Sequence, residues 1–63
     1  MTYHDLLLGL FKSVLVGDAF ELVTLVNKAS ILGLNVALLF HDFGDFFRHH
    51  FSHFLAHIVF EHF

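Results

Sequence analysis

The sequence predicts an all-α fold of two to three helices, and three observations carry that expectation. Apolar residues recur at helical spacing along most of the chain. No proline interrupts them. Glycine and aspartate divide the pattern at intervals, as residues that stop and restart helices do. Sixty-three residues hold one domain, and a core of that size is marginal when nothing staples it. The whole chain, residues 1–63, therefore reads as a single small helical unit.

The first element is expected over residues 2–16. In "TYHDLLLGLFKSVLV", Leu6, Leu7, Leu10, Phe11, Val14 and Leu15 form one wide apolar face. Thr2 or Asp5 is placed to cap its start, and Gly17 followed by Asp18 marks a stop and a restart. Gly9 weakens the helix but admits a close neighbour.

The second element is expected over residues 18–40. Asp18 is a good N-cap residue, with Glu21 at the third position beyond it. From Leu22 to Phe40 only Lys28 is charged, and nineteen residues of helix would cross the hydrocarbon core of a bilayer. A central membrane-spanning helix is the resulting expectation. A lysine inside such a span costs roughly 2.5–3.5 kcal/mol on insertion scales, less if it snorkels. Glu21, Lys28 and Asn35 recur every seven positions, with Asp42 continuing the series, and form a polar seam suited to packing against a partner helix.

The third element is expected over residues 45–61, with Gly44 as a hinge before it. On a wheel of ~100° per residue, Phe43, Phe47, Phe51, Phe54, Leu55 and Ile58 converge on one side. Asp42, Asp45, His49, His53 and His57 gather on another, with His50 beside them. Six of the seven histidines lie between His41 and His62, so this tail reads as an amphipathic helix with a histidine face and a phenylalanine face.

Composition narrows the function. Hydrophobic residues make up 57% of the chain and charged residues 14%, against about 25% charged in ordinary soluble domains. So much apolar surface calls for lipid or a protein partner to cover it. Three Lys and Arg residues spread along the chain make no basic patch, which argues against nucleic acid. There is no cysteine for a disulfide or a thiolate site. The opening "MTYHDLLLGLF" lacks the basic start and small-residue cleavage site of a signal peptide.

The histidine face admits three chemistries. His49, His53 and His57 stand one turn apart, with Asp45 a turn before them, a spacing at which a divalent metal finds ligands. A histidine flanked by apolar residues also suits a tetrapyrrole metal. The second chemistry is a pH response through His49, His50, His53 and His57. Imidazoles ordinarily titrate near pH ~6.5, so mild acid swings the formal charge from −3 toward about +4 and turns the tail into a cationic amphipathic helix. In its Phe and His make-up this last third resembles some histidine-rich membrane-active peptides of animal defence, which lack counterparts of Asp42, Asp45 and Glu61. The third is histidine-box catalysis. "HDFG" is similar to the first box of membrane fatty-acid desaturases, except that Asp45 stands where those enzymes place a second histidine. They also need several boxes over a far longer chain. With no Ser/His/Asp arrangement, phosphate loop or paired-carboxylate site, a non-catalytic role is expected.

The sequence reading is thus a small membrane-associated protein, an accessory or regulatory subunit of a larger membrane assembly, with lipid and that assembly as partners. The rival reading is a soluble self-associating helical module that holds a metal ion or tetrapyrrole through its histidines.

Overall fold

The computed structural model describes residues 1–62, His62 by its backbone. It is all-α: α1 Tyr3–Val16, α2 Ala19–Ile31 and α3 Val36–His62. Each boundary has a local cause. At the start of α1, the Asp5 N–H donates to Thr2 Oγ1 at 3.1 Å and the Thr2 N–H donates to Asp5 Oδ2 at 3.3 Å, a reciprocal capping box. Gly17 ends the helix at φ 71°, the left-handed conformation that favours glycine, and the Asp18 N–H reaches back to the Ser13 carbonyl at 2.8 Å. Asp18 then caps α2 by accepting from the Glu21 N–H at 3.0 Å.

The expected helix over residues 18–40 is two helices, which corrects the reading of a span. Gly33 takes φ 83°, and the Leu34 N–H bonds back to the Ala29 carbonyl at 3.0 Å, closing α2 as Gly17 closes α1. Asn35 immediately caps α3, its side-chain oxygen accepting from the Leu38 N–H at 3.1 Å. That leaves α2 with thirteen residues, about 20 Å of rise at 1.5 Å per residue, short of a ~30 Å hydrocarbon core. Among the described residues no helix is long and apolar enough to cross a membrane. The hinge moves likewise. Gly44 lies inside α3, and the helix begins nine residues before the expected residue 45.

α1 packs across the first half of α3, as the cross-helix partners show. Tyr3 meets Asp42, while Phe11 meets Phe46, Phe47 and His50 further along α3. Leu6, Leu7 and Leu10 of α1, Leu25 and Ala29 of α2 and Leu39 of α3 form the buried core. Gly9 is where α2 comes closest. A Cβ built there would stand 3.0 Å from Leu25 Cδ1, which bears out the close approach expected at that glycine.

Beyond its packed half α3 runs on as an exposed arm, whose Phe51 and Phe54 border a cavity of about 250 Å³ with Phe11 and Leu15 of α1. Every residue from 51 to 61 is exposed, and the molecule measures 46 × 21 × 18 Å. The result is a short three-helix body with a projecting arm.

Candidate functional site

The arm and the packed half of α3 hold all the residues that the sequence singled out for chemistry. Their environments differ by position. His41 is exposed, with Nδ1 3.9 Å from Asp42 Oδ1 and 3.7 Å from Asp45 Oδ2. Asp45 also accepts from Arg48 one turn on. His49 is exposed and meets the His50 ring edge-on, with centroids 5.3 Å apart. His53 is exposed. His57 is exposed and its Nε2 lies 3.0 Å from Glu61 Oε1.

His50 stands apart from this group. It is half-buried, stacked on Phe46 with centroids 4.0 Å apart and planes at 21°. Its Nδ1 lies 3.0 Å from the Phe46 carbonyl, and Phe11 closes over the ring from α1. Of the four residues assigned to a pH-responsive face, three are open to solvent and this one is a packing element. Phe46 is itself touched edge-on by His4 and Phe11. This aromatic cluster was not visible in the sequence, where His4 lay far from the other imidazoles. Its only signal was Phe11 on the apolar face of α1.

The proposed metal ligands share one face but do not close on a point. Among the described residues, no group of three or more His, Asp or Glu side chains comes together as a metal's ligand set would require. Asp45 is engaged by Arg48, and His57 by Glu61. The seam residues are also divided. Glu21 and Lys28 share α2, whereas Asn35 lies beyond its end and caps α3.

Two other features surround α3. A groove of about 610 Å³ runs along the packed half, lined by Val14 of α1 and by Phe40, Phe43, Gly44 and Phe47, with His41, Asp45 and Arg48 also at its lining. At the end of the body where α2 turns into α3, Met1, Tyr3, Leu32 and Leu34 stand exposed around a second cavity of about 170 Å³, and Ile31 is exposed nearby in sequence. Apolar side chains thus predominate in the lining of both cavities.

Fold and surface together define a class: a minimal helical body whose apolar side chains are mostly outside it. Compared with known protein families, curated proteins and solved structures, the chain matches none of them.

Proposed function

We propose that this chain is a non-catalytic accessory subunit of a larger membrane assembly, held by its exposed apolar surfaces and not by a span of its own. One observation carries the reading. Among the described residues six apolar ones are buried, while eighteen large ones, from Met1 to Phe60, are exposed. A small core stabilises only a marginal body, and a surface of this kind is characteristic of interaction sites or membrane contacts. The exposed Met1, Leu32 and Leu34 at the second cavity are apolar side chains suited to the boundary between headgroups and acyl chains or to an apolar surface of a partner. A metal-centred role has less support, because the candidate ligands are spread along a helix and two are engaged elsewhere.

The test is fractionation of tagged chain from its native cells. Recovery in membranes, release by alkaline carbonate and stoichiometric co-purification of a membrane protein in mild detergent are the expected results. Recovery wholly outside the membrane fraction, without a partner, overturns the proposal.

A further inference from the structure

The projecting arm and the groove on α3 belong to one stripe. Spacings of four, three, four, three and four residues put Phe40, Gly44, Phe47, Phe51, Phe54 and Ile58 on a single line, the pattern by which one helix packs along another. The first half of that line floors the groove; the second half lies on the exposed arm, where Phe51 and Phe54 also border a smaller cavity with Phe11 and Leu15 of α1.

We propose that two copies of this chain pair through α3 in antiparallel register, each laying its arm in the other's groove. The stripe is self-complementary in only one sense. Run antiparallel about a two-fold axis at His49, it sets Phe40 against Ile58 of the second copy, Gly44 against Phe54, and Phe47 against Phe51. A phenylalanine of the arm then falls on the one position of the stripe without a side chain. Nothing lies within 4 Å of a Cβ built on Gly44, so the notch is open to receive a ring. A parallel pair would set Gly44 against Gly44 and Phe54 against Phe54, a void beside a crowded layer. The charged residues nearest the axis are Arg48 and its ion-pair partner Asp45, so the crossing brings together a neutral set of four.

The area is sufficient. Phenylalanines offer roughly 150–250 Å² each, and Phe40 and Phe54 are 52% and 56% exposed. With Phe51 and Ile58, and with Leu55 and Val14 beside the stripe, full coverage would remove on the order of 500 Å² per copy, or about 1,000 Å² for the pair, the lower bound for a biological interface. The pairing stands apart from the membrane proposal, since it leaves the exposed Met1, Leu32 and Leu34 free.

The experiment is sedimentation equilibrium of the full chain in buffer without lipid, with circular dichroism as the check on folding. A reversible dimer is expected. Gly44→Leu should fill the notch and raise the dimer dissociation constant at least tenfold, while helical content is kept because the added side chain meets open space. Combining Gly44→Leu with Phe54→Ala exchanges large for small across the contact and should recover most of the affinity. A folded monomer at all concentrations, a dimer indifferent to Gly44→Leu, or an absence of rescue in the double variant would each overturn the antiparallel pairing. Membrane fractionation reads the proposed function separately.

Discussion

The Tyr3 hydroxyl donates to the Asp42 carboxylate, joining the first turn of α1 to the second turn of α3 across thirty-nine residues of chain. Among the described residues no other side-chain hydrogen bond joins two helices. It sets the axial alignment that brings Phe11 onto Phe46, Phe47 and His50. The carboxylate that accepts this bond raises the Tyr3 hydroxyl above the ordinary phenol value of 10.0, with smaller contributions from burial and from the charge of Asp42.

That relationship can be read directly, because the chain has one tyrosine and no tryptophan. An ultraviolet titration should show a midpoint above 10.0, and Asp42→Ala should bring it down toward that value. The sign for stability follows from the raised folded-state value. The contribution is fully present below pH 10.0 and is lost as the pH rises through the folded pKa. A midpoint unchanged by Asp42→Ala would show that the bond does not form in solution.

Two glycines in α3 and its approach should respond to alanine with opposite signs. Gly33 holds φ 83°, where an added Cβ costs about 1–2 kcal/mol. Gly44 is interior to α3 with open space around it, so alanine there should stabilise dilute chain by roughly 0.5–1 kcal/mol through reduced backbone entropy. Asn35→Ala should cost about 1 kcal/mol by uncapping α3. Urea unfolding of the three variants checks all of this; a stabilised Gly33→Ala would mean that α2 and α3 are continuous after all.

The core is small enough that single truncations should be decisive. Leu10 is 1% exposed at the meeting of the three helices, and Leu10→Ala should cost about 2–5 kcal/mol. On a body this marginal, that unfolds much of the population. Phe20 is a larger side chain but 82% exposed, and Phe20→Ala should stay within about 0.5 kcal/mol. Equal effects from the two, by thermal melts followed by circular dichroism, would contradict the burial pattern.

Much of this architecture was legible in the sequence. The helical class, the caps at Thr2 and Asp18 and the stop at Gly17 all follow from local rules that act within one turn. The break at Gly33 and Asn35 was not legible, because apolar residues on both sides carry the helical period straight through it. A glycine two positions before an asparagine is the same stop-and-restart signal as Gly17 and Asp18, but a long apolar run looks like one span. The role of His50 was hidden for a different reason. Its burial depends on Phe11, a residue of another helix, and no periodicity within the tail reports that contact.

The histidine arm yields the last prediction. Between about pH 7.5 and pH 5 imidazoles gain positive charge, and His49, His53 and His57 are exposed along two turns of α3. Adjacent like charges on a helix cost about 0.2–0.5 kcal/mol per pair, whereas each charge at an anionic lipid surface gains about 1 kcal/mol. Attraction should therefore exceed self-repulsion. Glu61 lies 3.0 Å from His57 and offsets part of the gain, as do Asp42 and Asp45 beside His41. The exposed Val59 and Phe60, which lie outside the paired stripe, supply apolar side chains that can enter the headgroup region once the arm is drawn in. Full-length chain should bind anionic vesicles more tightly at about pH 5 than at about pH 7.5, and bind neutral vesicles with little pH dependence. Replacing His49, His50, His53 and His57 with Gln should remove most of the difference. Co-sedimentation with vesicles of both compositions reads each arm; a pH dependence that survives the four substitutions would place the switch outside this face.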